Sequence, residues 1–108
     1  MRSAVRSMSR MMTGVGAILC AAHRDVGTGK LHGHTWEITV WFRRGTDATI
    51  RACRLDSIIK EIDHSELPNT LAWGEDIAEW VGTKFDDSSC LAVDVARPAE
   101  RIYARWER

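Results

Sequence analysis

The chain has 108 residues, of which 44% are hydrophobic and 28% charged, a composition typical of one small globular domain. Fifteen basic and fifteen acidic residues give a formal net charge of zero. A broad basic surface that could neutralise phosphates is therefore not expected, and nucleic acid is not an expected partner. No apolar run reaches the roughly 20 residues of a membrane-spanning helix, so no membrane association is expected. A domain this small often completes its core by assembling, so we expect a homo-oligomer.

The N-terminal segment differs in composition from the rest of the chain. Residues 1–12 contain arginines, serines and methionines but no acidic residue. We predict a disordered tail over 1–12 and a single domain over 13–108.

The cysteines indicate a cellular environment. The chain has three, an odd number without a CxxC pair, at Cys20, Cys53 and Cys90. This pattern predicts buried free thiols in a reducing compartment, and we expect the protein to be cytoplasmic.

Two strands are predicted first along the chain. Residues 15–21 form a run of small and apolar side chains, and residues 34–42 are rich in β-branched and aromatic side chains. The Gly-Thr-Gly-Lys segment at 27–30 between them has the composition of a turn. The two strands are therefore predicted to form an antiparallel hairpin.

Two helices and a further strand follow. Over residues 47–62 the apolar positions recur at spacings of three and four, and Asp47 is a suitable N-cap. A second helix is predicted over 74–85, with Glu75 and Asp76 in the first turn, where they suit the helix dipole. Residues 90–96 are predicted to form a strand, and a short final element contains Ile102, Tyr103 and Trp106.

The histidines carry the strongest functional signal. His32 and His34 are separated by one glycine, so in an extended strand both rings project from the same face. His23 ends the preceding strand, and a hairpin that turns near Thr28 would bring it beside them. Three neutral imidazoles suit a zinc ion with its fourth position open, which is the catalytic arrangement, although an H-x-H pair alone is a weak signal.

The fourth histidine, His64, follows Asp63 at the end of the first predicted helix. A carboxylate and an imidazole at a helix end can form a proton relay if both point into a cleft. On spacing alone, a C-terminal helix cap favoured by the dipole is the simpler interpretation.

Several segments taken together resemble a known family. The chain contains AAH at 21–23, LHGH at 31–34, IDHSEL at 62–67, Glu75 ahead of Ala78 and Trp80, and Ile102-Tyr103. In this order they resemble the 6-pyruvoyl-tetrahydropterin synthase and 6-carboxytetrahydropterin synthase family. The resemblance implies the α+β tunnelling fold, in which a four-stranded antiparallel sheet carries two helices on one face. It also implies trimers or hexamers with active sites between subunits.

The resemblance also assigns roles to individual residues. It implies that His23, His32 and His34 bind zinc and that Asp63 and His64 form the catalytic proton relay. The implied substrate is dihydroneopterin triphosphate, a pterin whose side-chain oxygens the zinc would hold while protons move at neighbouring carbons.

The chain departs from the family pattern at the catalytic cysteine. The resemblance implies a cysteine four residues before His32, where this chain has Thr28. A threonine hydroxyl cannot supply a thiolate at neutral pH. Thr28 is a candidate for substrate contact, and either Thr28 or a zinc-bound water is expected to replace the cysteine weakly. Cys20 and Cys53 lie elsewhere in the pattern and are not expected to fill the gap.

A second departure concerns the carboxylate that anchors the pterin ring. The resemblance implies a glutamate near the end of the last long strand, where this chain has Val95 or Ala96. Asp94 and Glu100 lie nearby, and Glu100 is a candidate replacement. The simpler interpretation is a solvated strand residue for Asp94 and an acid at a helix start for Glu100. Glu75 is retained and is a second candidate for substrate binding. The metal site is thus expected to be intact and the substrate-binding residues altered.

Two other side chains are candidates for substrate contact. Trp73 is the best of the five tryptophans for stacking on a pterin, although packing in the core or an interface is the alternative. Arg24, beside a metal-binding candidate, is the leading residue for a triphosphate contact, and the alternative is an arginine-rich surface.

Two hypotheses about function follow. The first is a zinc-dependent lyase of this family that acts on dihydroneopterin triphosphate or a related pterin. The second is a zinc-containing oligomeric binding module that has lost the reaction and holds a pterin or purine-like ligand. The missing cysteine and glutamate favour the binding module, whereas Asp63 and His64 favour the enzyme.

Overall fold

The computed structural model describes residues 10–25 and 27–108. It contains four strands and two α-helices: β1 (Met12–Arg24), β2 (Leu31–Arg43), α1 (Ala48–Lys60), α2 (Gly74–Lys84), β3 (Cys90–Arg97) and β4 (Ile102–Glu107). The strands form one antiparallel sheet in the order β1-β2-β3-β4. This is the α+β architecture predicted from the sequence. Most of the predicted tail lies outside the described residues, and β1 begins at Met12.

The first hairpin is longer than predicted. β1 and β2 each have 13 residues, and their ladder runs without interruption from the Met12–Arg43 pair to the Arg24–Leu31 pair. The predicted strand ends at 15–21 and 34–42 were wrong, because the flanking glycine and histidine residues carry little strand propensity of their own. Backbone pairing between the two strands determines their conformation instead. Gly33 is accommodated in β2 opposite Ala22.

Both helices pack on the same face of the sheet. Strand side chains alternate between its two faces, and the helix-facing set is buried against residues of α1 and α2 in one hydrophobic core. Asp47 caps α1 as predicted, since its carboxylate accepts the backbone N–H groups of Thr49 and Ile50 at 3.0 and 3.2 Å. The residues of this core with no exposed surface are Leu19, Val40, Phe42, Leu55, Ile58, Ile77, Ala78, Val81, Cys90 and Val93.

The last strand is joined to α2 by a close contact. The Trp106 ring lies so near Gly82 that a Cβ atom there would clash with it. The Arg108 guanidinium then donates to the carbonyls of Gly82 and Phe85 at 3.0 and 2.8 Å, and to that of Cys90 at 2.9 Å. The Gly82 and Phe85 carbonyls also accept the backbone N–H groups of Phe85 and Asp87, so Arg108 adds a second hydrogen bond to each and ties the end of the chain to α2 and β3.

The segment after α1 covers part of the free edge of β1. The His64 N–H donates to the carbonyl of Cys20 at 2.6 Å, and the Ala22 N–H donates to that of Ser65 at 2.9 Å. The Leu67 N–H then donates to the carbonyl of Ala22 at 2.7 Å. These bonds pair backbone groups that an edge strand otherwise leaves open, and they place the segment beside the histidine end of the hairpin.

The prediction that all three cysteines are buried was wrong. Cys90 is buried, Cys20 is half-buried and Cys53 is exposed on α1. Cys53 is exposed because the periodicity of α1 directs Leu55, Ile58 and Ile59 to the sheet, and position 53 falls outside that stripe. None of the helices in the described residues is long and apolar enough to cross a membrane.

Candidate active site

Three histidines meet at the end of the first hairpin. His23 pairs directly with His32 in the ladder, and His34 lies two residues further along β2. The ring centroids are 4.8 Å apart for His23 and His34, 6.2 Å for His32 and His34, and 6.4 Å for His23 and His32. The alternation that buries Ala21 and Trp36 places these rings on the helix-facing side of the sheet. The hairpin thus brings together the three side chains predicted to bind a metal.

The surroundings of His34 favour the neutral form of its ring. Burial lowers the pKa of His34, and the positive charge of Arg97 lowers it further. The Nδ1 atom of His23 is buried and has no hydrogen-bond partner among the described residues. The Trp36 ring packs edge-on against His23 and His34, at centroid distances of 5.9 and 5.3 Å. A neutral imidazole nitrogen with a free lone pair is the form in which histidine binds metals.

The donor chemistry of this cluster fits zinc, although its geometry is not yet that of a bound site. Within residues 10–25 and 27–108, no three His, Cys, Asp or Glu side chains already form a group arranged to hold a metal ion. The backbone pairing of His23 and His32 nevertheless holds the rings close to one another. The Nδ1 atom of His23, which has no hydrogen-bond partner among the described residues, is available to bind a metal ion. Zinc at this cluster therefore stays a prediction.

A cavity of about 550 Å³ opens beside the three rings. The indole of Trp73, just before α2, lines it, and the residue is 58% exposed. Arg24 and Arg97 line it as well. A smaller cavity of about 160 Å³ shares Trp73 and Arg97 and is also lined by Glu75 and Tyr103. The volume of the larger cavity is in the range of small-molecule sites, which run from about 300 to 1,000 Å³.

Asp63 and His64 form a hydrogen-bonded pair on the segment that covers β1. The Oδ2 atom of Asp63 lies 2.8 Å from Nδ1 of His64, and its Oδ1 atom accepts the Cys20 N–H at 2.9 Å. His64 has a positive φ of 55°, and its side chain is 78% exposed. The carboxylate is therefore held by the backbone and in turn orients the imidazole, while the C-cap of α1 is Glu61. The relay itself stays a prediction.

This carboxylate gives a testable pH dependence. The Cys20 N–H and then the His64 side chain lower the pKa of Asp63 below its ordinary value. A lowered pKa in the folded state adds stability above the unfolded pKa of about 4, and this contribution is lost as pH falls through the folded value. We expect Asp63→Asn to make the free energy of unfolding less dependent on pH in this acid range, measured by urea denaturation between pH 7 and pH 3.

The control for this measurement is Asp56→Asn on α1. Asp56 is exposed, and its side chain accepts no hydrogen bond from the described residues. Its curve should run parallel to that of the unmodified chain. An acid slope that Asp63→Asn leaves unchanged would show that the carboxylate makes no pH-dependent contribution.

His64 lies on a different side of the histidine cluster from the cavity beside Trp73. An open groove of about 710 Å³ is lined by His34, His64, Glu66 and Glu100, among others, whereas the cavity beside Trp73 is lined by all three clustered histidines. His34 is common to both. The predicted proton relay and the predicted metal ligands therefore meet at His34 rather than in one enclosed pocket.

The predicted substrate-binding residues occupy three separate places. The Oε1 atom of Glu100, in the 3₁₀ turn between β3 and β4, lies 3.7 Å from Nδ1 of His34. Glu75 lies in the first turn of α2 and lines only the smaller cavity. Thr28 is exposed in the β1–β2 turn, and its hydroxyl accepts the Lys30 N–H at 3.3 Å. Gly27 lines the cavity beside the histidines, but Thr28 does not.

The region where a pterin-anchoring glutamate is expected contains a residue that the sequence reading missed. Val95 is buried at the edge of the smaller cavity, and Arg97, two residues later, lines both cavities. Strand alternation could have identified Arg97 as a candidate, because Val93, Val95 and Arg97 share one face of β3. A charged residue that continues a buried face at the end of a strand is a candidate for the site.

Comparison with known proteins supports the fold. No family model and no curated protein matches this sequence. Among solved structures, the chain is similar to the structure of Caenorhabditis elegans 6-pyruvoyl tetrahydropterin synthase, with a TM-score of 0.72 and 17% sequence identity. The alignment covers 94% of this chain and 99% of that one. The fold predicted from the resemblance is thus confirmed: this chain has the tunnelling fold of 6-pyruvoyl tetrahydropterin synthase.

Proposed function

We propose that this chain is a zinc-dependent lyase of the 6-pyruvoyl or 6-carboxytetrahydropterin synthase type, acting on dihydroneopterin triphosphate or a related pterin. The observation that carries the proposal is the convergence of three imidazoles beside a cavity of about 550 Å³, in a chain with the fold of a tetrahydropterin synthase. A purely structural role would not require three converging imidazoles, one of them with a buried Nδ1 atom that has no hydrogen-bond partner among the described residues.

In this proposal His23, His32 and His34 hold the zinc ion. Zinc bound there would supply a Lewis acid that polarises a hydroxyl or carbonyl oxygen of the substrate. Trp73 offers an exposed indole face at the same cavity, suited to stacking on a planar heterocycle. Arg24 lines the cavity as well and is a candidate for a phosphate contact, for which its guanidinium would exchange the exposed bond to Glu66.

Asp63 and His64 carry out the proton transfer in this mechanism. Asp63 faces Nδ1 of His64 at 2.8 Å, which favours the tautomer with the proton on Nδ1. Nε2 is then free to accept a proton from a substrate carbon or hydroxyl and to return it later. Because Asp63 is itself held by the Cys20 N–H, the imidazole keeps its orientation through this exchange.

The exposure of His64 supports a shared active site. Its side chain opens to the groove rather than into the cavity beside Trp73, so a second copy of the chain could close over both. Large apolar side chains also remain exposed on the sheet and its edges, including Ile18, Leu31 and Tyr103. We propose that the protein forms trimers or hexamers in the cytoplasm, with the substrate bound between subunits.

The decisive experiment is to incubate the zinc-loaded protein with dihydroneopterin triphosphate and follow the pterin products by chromatography. We expect His64→Ala to lower the rate of product formation by about 10²- to 10⁴-fold, the usual contribution of a general acid–base residue. Lys60→Ala, at the exposed end of α1, is the control and should retain the rate. Equal turnover in the His64 variant would contradict the assigned role.

A second function is favoured by the position of Thr28. Its hydroxyl is exposed and bonded to the turn, away from the cavity beside the histidines, so it is poorly placed to replace a cysteine. The alternative is a zinc-containing oligomeric binding module for a pterin or purine-like ligand. Tight binding of the pterin without turnover, in both the unmodified chain and the His64 variant, would support this alternative over the enzyme.

A further inference from the structure

Arg97 is the charged residue at the centre of the site. It ends β3 on the face that buries Val93 and Val95, the same face of the sheet on which the three histidines lie. It lines both the larger cavity beside the histidines and the smaller cavity beside Glu75. The residues that line both are His23, Ala72, Trp73 and Arg97. A molecule that occupies the larger cavity and reaches toward the smaller one therefore passes Arg97.

The neighbouring charges at this cavity already have partners. Arg24 donates to the Glu66 carboxylate at 3.2 Å and to the carbonyl of Gly29 at 3.1 Å. Asp25 accepts the Gly27 N–H at 2.7 Å. The Arg97 side chain makes neither an ion pair nor a hydrogen bond with any residue that the structure describes. It is also only partly exposed.

Arg97 is only partly exposed and its guanidinium has no partner within residues 10–25 and 27–108, which points to an anionic ligand. Its five N–H donors form a planar fork that matches a carboxylate or a phosphate, and charge-assisted bonds of this kind are stronger than neutral ones. An anion bound in the cavity would give this guanidinium a charged partner that it does not find among the described residues. The guanidinium, which has donors but no acceptor, offers nothing to a ligand edge made only of N–H donors.

We propose that Arg97 determines ligand specificity by pairing with an anionic group, a carboxylate or a phosphate, on the planar ligand that stacks at Trp73. This inference rests on the proposed function only for the ring system of the ligand. The anion-binding role follows from the cavity and from the unpartnered guanidinium. Val95 and Ala96 offer no carboxylate to bind the N–H edge of a pterin ring. The role proposed for Arg97 agrees with this, because a guanidinium binds an anionic group instead of an N–H edge.

The experiment compares two pterins by isothermal titration calorimetry: one that carries a carboxylate on the ring and the same pterin without it. We expect the carboxylate to strengthen binding to the unmodified chain by about tenfold or more, as for a hydrogen bond to a charged group. Arg97→Gln should remove this advantage, and Arg97→Lys should keep part of it, because the positive charge remains but the fork is lost. Arg54→Gln, an exposed arginine of α1, is the matched control and should keep all of it.

A second measurement separates this inference from the proposed function. Inorganic pyrophosphate and oxalate are titrated into the same variants without any pterin, and tryptophan fluorescence reports binding near Trp73. If pterins fail to bind but either anion binds in an Arg97-dependent manner, the pterin function fails and the anion site stands, with the preferred anion distinguishing phosphate from carboxylate. If pterins bind equally well with and without the carboxylate, or if Arg97→Gln leaves the carboxylate advantage unchanged, the specificity role is overturned. It is also overturned if neither class of ligand shows dependence on Arg97.

Discussion

The double variant His32→Ala/His34→Ala is expected to lose stoichiometric zinc. The variant removes two of the three clustered imidazoles and leaves only His23, whose Nδ1 atom has no hydrogen-bond partner among the described residues. A single histidine cannot hold zinc in a protein site. The measurement is elemental analysis after dialysis against a trace of free zinc. We expect the content to fall from about one ion per chain to near none, since catalytic zinc sites use three protein ligands.

Two controls make this result specific. His64→Ala removes an exposed histidine that lies outside the ring cluster and should retain the metal. Far-ultraviolet circular dichroism of the double variant should match that of the unmodified chain, since both substituted rings lie at the end of the hairpin beyond the hydrophobic core. Stoichiometric zinc in a folded double variant would mean that the three histidines are not the metal site.

Phe42→Ala is expected to have the largest effect on stability. Phe42 has no exposed surface and packs edge-on against Phe85, with 5.1 Å between ring centroids. It joins the end of β2 to the residue that follows α2, and the Arg51 guanidinium lies 5.3 Å from its ring centroid. Truncating a buried phenylalanine typically costs about 3–5 kcal/mol, from lost burial and from the cavity left behind.

Such a loss is a large fraction of the stability of a small domain, which is about 5–15 kcal/mol. Urea denaturation should show the midpoint falling sharply while the slope of unfolding free energy against urea stays the same. Ile50→Ala is the control, because Ile50 is an α1 residue that is 64% exposed, and its change should stay within about 0.5 kcal/mol. A cost below about 1 kcal/mol for Phe42→Ala would show that the two aromatic rings are not tightly packed.

The hairpin illustrates how far local sequence signals reach. The β-branched and aromatic run in β2 was recognisable, and so were the stripe of α1 and the Asp47 cap, because each depends on neighbours within a few residues. The strand ends that carry His23 and His32 were not recognisable, since glycine and histidine have weak strand propensity. These residues are extended because their backbones pair across the hairpin. Most of the predicted fold was therefore local in origin, and its errors lay where long-range pairing decides.

The candidate site shows the same division. The H-x-H spacing and the Asp63-His64 pair could be read from the chain, and so could the expectation that a hairpin returns His23 to its partners. The hydrogen bond from Cys20 that holds Asp63 could not be, because it joins residues 43 positions apart. The position of Arg97 beside the histidines could not be either, since it depends on the order of strands in the sheet and on the loop that carries Trp73.

By itself the sequence determined the identity of the elements, the buried faces, the four histidines and the resemblance to tetrahydropterin synthases, because these depend on periodicity and short motifs. Only the tertiary structure decided that the three rings meet beside one cavity while His64 opens to another groove. It also decided that Arg97 lines both cavities and pairs with no other side chain in the part of the chain that the structure describes. Those facts depend on backbone hydrogen bonds between distant strands and on which charged side chains find partners, and no local pattern encodes either.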